Sequence, residues 1–145
     1  MNSVFFLVAE KTSIDSRTNS LSIFNVLESM TLQGDASPPG DQVVKVATEY
    51  QVVVRAVRHN TDVPESGTGH VRLLAPDGAE LMRNEFDVDL TESSQAGVVL
   101  AMQDLPVKEA GWYAFVLSLP KSEDSEPSEA ARYPFAIRFE AQASE

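Results

Sequence analysis

The sequence predicts an all-β fold: a two-sheet antiparallel β-sandwich of seven or eight strands, immunoglobulin-like or C2-like, with a closed β-barrel as the alternative. Three observations predict it. Short apolar runs and strict apolar/polar alternation recur along the chain. Clusters of Gly, Pro, Asp and Ser separate them. No stretch carries the apolar spacing of a helix.

Val4 to Ala9 is a buried-strand run with two Phe and two Val, and Leu21 to Leu27 is a second. Between them lies "EKTSIDSRTNS", where Asp15 and Asn19 suit a tight turn and Ile14 is expected to tuck under the hairpin. Thr31 to Gln42, with two Gly, two Pro and two Asp, predicts a loop. Val43 to Arg58 alternates as one long strand, bent or divided near Thr48. His59 to Gly69 predicts another loop. It leads to a hairpin of Val71–Ala75 and Leu81–Leu90 around Asp77-Gly78, a dipeptide suited to a type I′ turn.

In the second arm Met82, Phe86, Val88 and Leu90 share one parity and Arg83, Glu85, Asp87 and Asp89 the other, which is a half-buried strand. Val98, Leu100 and Met102 alternate next, and Pro106 and Gly111 bracket a turn. Tyr113, Phe115, Leu117 and Leu119 form a further inward set, as do Tyr133, Phe135, Ile137 and Phe139. Pro134, unable to donate to a ladder, predicts an edge or a strand start. Pro120 to Arg132 is acidic and rich in Ser and Pro, so a mobile loop is expected there rather than a short helix at 127–131.

A chain of 145 residues fits one domain. That domain is expected to cover residues 1–141, with 142–145 as a frayed end and 120–132 as a mobile loop within it. The chain contains no Cys, which excludes a disulfide framework, a thiolate metal site and a cysteine nucleophile. The amino-terminal apolar run is too short for a signal peptide or a membrane span, so the expectation is a soluble, cytoplasmic protein. A net charge of -11 disfavours nucleic acid and membrane surfaces, and points to a partner with a basic or neutral surface.

The candidate chemistry is sparse. His59 and His70 are the only histidines, and without a nucleophile motif the plain expectation is two solvated side chains. Asp87, Asp89 and Glu92 lie near a strand end with oxygen ligands at a spacing that can share a Ca2+ ion. Against this stands an ordinary solvated strand face, which the absence of a Gly-marked calcium loop favours. No Gly stands in a phosphate-loop frame. Trp112, the sole Trp, lies opposite in parity to Tyr113 and Phe115. Cross-strand packing is the favoured role, and a protein-binding anchor is the alternative.

The ordered segments "FFLVAEKTSIDSRTNSLSIFNVLESM", "VRLLAPDGAEL", "DLPVKEAGWYAFVL" and "YPFAIRF" resemble a family of small, mostly bacterial, uncharacterised β-sandwich proteins. That resemblance spans about Phe5 to Phe139 and implies the fold. It implies no activity, cofactor or catalytic residue, and the acidic 120–132 segment departs from the family's pattern. The leading expectation is a non-enzymatic protein-binding or assembly module using loops or an uncovered sheet edge, with a protein partner or self-association through that edge. A Ca2+- or small-ligand-binding domain comes second, and an unrecognised hydrolase using His59 or His70 third.

Overall fold

A computed structural model describes residues 1–33, 42–121 and 126–140. Among the described residues nine strands follow in order: β1 (Asn2–Ile14), β2 (Leu21–Val26), β3 (Ser29–Gln33), β4 (Val44–Val57), β5 (Glu65–Leu74), β6 (Glu80–Leu90), β7 (Gln95–Val107), β8 (Gly111–Pro120) and β9 (Pro127–Glu140). They form a four-stranded sheet, order β2-β1-β4-β7, packed on a five-stranded sheet, order β3-β9-β8-β5-β6. The second sheet curls into a half-barrel. The predicted sandwich holds at this level, with two corrections. There are more strands than expected, and β3 runs parallel to β9, so the sheets are not wholly antiparallel.

The alternation sends one side of each strand into a shared core. Tyr113, Phe115, Leu117 and Leu119 of β8, Phe135 and Ile137 of β9, and Val52 and Val54 of β4 are each at most 1% exposed. Phe115 stacks on Phe135 with ring centroids 5.3 Å apart, and Tyr50 reaches Phe115 across the sheets at 6.0 Å. Each Tyr that enters this core needs a partner for its hydroxyl. Tyr50 donates to the Asp104 carbonyl, Tyr133 to the Leu27 carbonyl and Tyr113 to the Glu109 carbonyl, while Tyr113 also accepts the Lys108 backbone N–H.

The turns explain the remaining differences. At Asp15 the carboxylate accepts the N–H groups of Arg17 and Thr18 at 2.8 and 3.1 Å, and Asn19 takes φ 60°, so the predicted turn is present. Those N–H groups hold the Asp15 carboxyl below its usual range. Ile14 does not tuck under the main core; it is 59% exposed. At Asp77-Gly78 only Gly78 has positive φ, and its N–H donates to the Ala75 carbonyl while Ala75 N–H donates to Ala79. That is a type I turn with a left-handed Gly, not type I′, because Pro76 fixes a negative φ at the first central position.

Several predicted loops give way to strand. Thr31 to Gln33 belong to β3, and the rest of the Thr31–Gln42 loop lies outside the described residues except Gln42. Glu65 to Gly69 belong to β5. The Gly there is a packing requirement: a Cβ on Gly69 would stand 2.9 Å from Phe86 and 3.0 Å from the Ser118 carbonyl. Pro127 to Arg132 open β9 and pair with β8, which corrects the predicted mobile loop 120–132; residues 122–125 lie outside the described residues. The predicted frayed end at 142–145 also lies outside them.

Pro106 ends within β7, so the turn before Gly111 is confined to 108–110. The expected bend near Thr48 is present as a register shift between Ala47 and Tyr50. Pro134 sits where β9 is paired by β8 alone, since β3 begins only opposite Ala136.

Two ion pairs tie distant parts together. The Met1 ammonium pairs with Glu65 Oε1 at 2.9 Å, with side chains 1% and 10% exposed, and also donates to the Pro120 carbonyl. Lys108 Nζ reaches Asp77 Oδ2 at 2.8 Å, joining the β5–β6 and β7–β8 turns.

Candidate functional site

The outward face of the five-stranded sheet carries the strongest concentration of interaction chemistry. Pairing across β6, β5, β8 and β9 aligns Arg83 with Arg72, Arg72 with Val116, and Val116 with Arg132. Three of the chain's basic residues thus stand in one row. Val116 is 0% exposed although it faces away from the core. Its in-register neighbours are Arg72 and Arg132, side chains whose long methylene stems can cover apolar surface.

The row is only partly neutralised. Arg83 donates to Glu80 Oε1 at 3.0 Å, Arg72 approaches the same oxygen at 3.8 Å, and Arg132 holds Glu129 at 2.8 Å. One carboxylate therefore serves two guanidinium groups, and Arg72 Nε is buried without a hydrogen-bond partner. The next row runs Glu85, His70, Ser118, Glu129. Burial first, and then the charges of Arg83 and Arg72, hold the His70 imidazole below its usual pKa against the opposing pull of Glu85 and Glu80.

Trp112 shares this outward face. It lies four residues before Val116 on β8, about 13 Å along the strand at the usual rise, and opposite Ala136. At 68% exposed it does not fill the cross-strand packing role favoured from the sequence. Residue 112 begins the strand, where flanking side chains are the small Ala136 on one side and none of β5 on the other, because β5–β8 pairing starts at Ala114.

The other candidates are not brought together. Asp87 and Asp89 do share the exposed side of β6, but each has a local donor. Thr68 Oγ1 donates to Asp87 at 3.1 Å, and Thr91 donates to Asp89 Oδ1 through both hydroxyl and N–H at 2.5 and 2.9 Å. Those bonds hold the Asp89 carboxyl below its usual range. Glu92 is exposed in the β6–β7 turn, and among the described residues no three His, Cys, Asp or Glu side chains form a metal-holding group.

His59 uses its backbone N–H on Glu65 Oε2, while its imidazole is exposed. His70 lies between arginines on β5. Among the described residues neither imidazole makes a hydrogen bond.

Arg72, Arg83 and Arg132 were not singled out from the sequence. The Arg72–Arg83 pairing follows from the hairpin register once the turn is known. The place of Arg132 depends on β8–β9 pairing behind a segment that reads as loop. A scan against protein-family models finds no match for the chain, and a search among curated proteins finds none either.

Proposed function

We propose that the chain is a non-enzymatic protein-binding module that docks an acidic segment of another protein on the outward face of its five-stranded sheet. One observation carries the reading: three arginines in register stand on the same face as the exposed Trp112. Trp and Arg dominate the energetics of protein interfaces, Trp by apolar area and Arg by bidentate pairing with carboxylates. The net charge alone suggests a basic or neutral partner, but recognition is local, and here Arg72 and Arg83 share one carboxylate, with Arg72 Nε left without a partner. Within this reading Arg72 and Arg83, which share one glutamate, take the partner's acid, and Trp112 takes an apolar side chain.

An immunoglobulin-like or C2-like form of the sandwich is part of the same proposal, supported by the two mainly antiparallel sheets and their shared core.

Trp112 is the only Trp, so its fluorescence reports on the proposed face directly. Titration with a synthetic peptide of alternating Glu and Leu is expected to shift its emission to the blue, with affinity falling steeply as salt is raised. The Arg72→Gln/Arg83→Gln double variant should weaken binding at least about tenfold, the scale of losing a charge-assisted pair. An unchanged emission, or equal affinity in the double variant, refutes the proposal.

A further inference from the structure

The outward face of the four-stranded sheet holds a recess of about 450 Å3, within the size range of small-molecule sites. Two register rows build its floor. Phe5, Arg55 and Gly97 align across β1, β4 and β7, and Val53 and Val99 align in the row beside them. Ile14 and Leu21, the pair that closes the β1–β2 hairpin, line the same recess. The hairpin is further tied over this face by Thr12 Oγ1, which donates to Gln51 Oε1 at 2.5 Å. Val53 is only 1% exposed although its parity directs it away from the main core, as a residue beneath the hairpin would be.

Two features mark the recess as more than a packing gap. A Cβ built on Gly97 meets nothing nearer than the Val54 carbonyl oxygen at 3.9 Å, an ordinary contact. Its backbone is not in the left-handed region either, so neither dihedral nor internal packing calls for glycine. What the missing side chain leaves is room above the floor. Beside it, half-buried Arg55 donates through Nε to Gln95 Oε1 at 2.9 Å. Among the described residues its two Nη groups have no partner. A guanidinium with unused donors at the edge of an apolar floor matches one ligand shape: a carboxylate head on a hydrocarbon body.

We propose that this recess binds a small apolar monocarboxylate, with the carboxylate on the Arg55 Nη groups and the hydrocarbon against Phe5 and Val99 in the space left by Gly97. The site is separate from the arginine face of the other sheet, and either can fail without the other.

Calorimetric titration of the full chain with decanoate tests it, with decanol as the uncharged probe. Saturable one-to-one binding of decanoate is expected, with decanol at least about tenfold weaker because it lacks the charge-assisted pair. Arg55→Gln should erase the preference for decanoate over decanol. Gly97→Leu should abolish binding of both while the melting temperature holds, and Gly97→Val serves the same purpose if the Leu variant does not fold. Trp112→Ala should leave decanoate binding unchanged. No saturable heat with decanoate, equal affinity for decanol, or wild-type binding by the Gly97 variant overturns the proposal.

Discussion

The two outward faces of this sandwich begin from the same alternation and end in opposite chemistry. On the four-stranded sheet Val53 is 1% exposed beneath a hairpin; on the five-stranded sheet Val116 is 0% exposed between Arg72 and Arg132. An outward apolar residue can thus leave water by two routes. A folded-back hairpin makes an apolar environment with a recess in it. Long cationic side chains make a thin cover on a sheet face otherwise open to solvent. The first route suits a small apolar ligand and the second a charged partner.

A buried charge separates the two routes most sharply. Val53→Asp is expected to destabilise by about 3–5 kcal/mol, because it buries a carboxylate beneath the hairpin between apolar Leu7 and Val99, while the Arg55 head stands only at the edge of the recess. Val116→Asp should cost clearly less, since its neighbours on both sides are arginines. Urea unfolding of both variants measures the difference, and equal losses would break the distinction between the faces.

Glu65→Gln tests a contact that belongs to neither face. Removing the carboxylate that pairs with the Met1 ammonium should lower stability by about 1.5–3 kcal/mol, the range for hydrogen bonds to charged groups. Burial pushes the Glu65 carboxyl up, but the bonds from the Met1 ammonium and the His59 N–H, with their nearby charges, hold it below its usual value. A carboxyl depressed in the folded state stabilises above its unfolded pKa and loses that contribution as pH falls through the folded one. Wild type should therefore lose stability on acidification below the ordinary Glu range, and the Gln variant should lose less.

The cover over Val53 depends on a sound hairpin turn. Asp15→Ala removes the acceptor for the Arg17 and Thr18 N–H groups and should lower the melting temperature slightly. Thermal unfolding measures it, while the Trp112 emission on the opposite sheet should not move.

The smallest effect concerns His70. Its folded pKa lies below the unfolded one, so the folded state resists protonation and stability declines as pH falls through the ordinary His range. Comparing unfolding of wild type and His70→Gln across that range isolates the contribution. A wild type no more acid-sensitive than the variant would argue against burial and the flanking arginines disfavouring the charged imidazole.

Much of the fold was legible where a local signal and its tertiary use coincide. The alternation of Met82 to Leu90 predicted which side of β6 is buried, and Asp15 and Asn19 predicted a turn through local bonds that need no distant partner. β3 was missed because "SMTLQ" has only two apolar residues and is held by a parallel neighbour remote in sequence. The first half of β5 read as loop because "ESGTG" is rich in glycine, a composition that close packing against Phe86 and β8 demands. Trp112 was recognised as a candidate, but its exposure turns on where β5 stops pairing.

By itself the sequence determined the class of the fold, most strand faces and the β1–β2 turn, because a period of two and a turn's side-chain bonds act within a few residues. Only the tertiary structure decided the parallel β3–β9 pair, the row of Arg83, Arg72 and Arg132, and the recess joining Gly97 and Arg55 to the hairpin. Each of these depends on register between strands far apart in the chain, and register is set by the packing of the whole core.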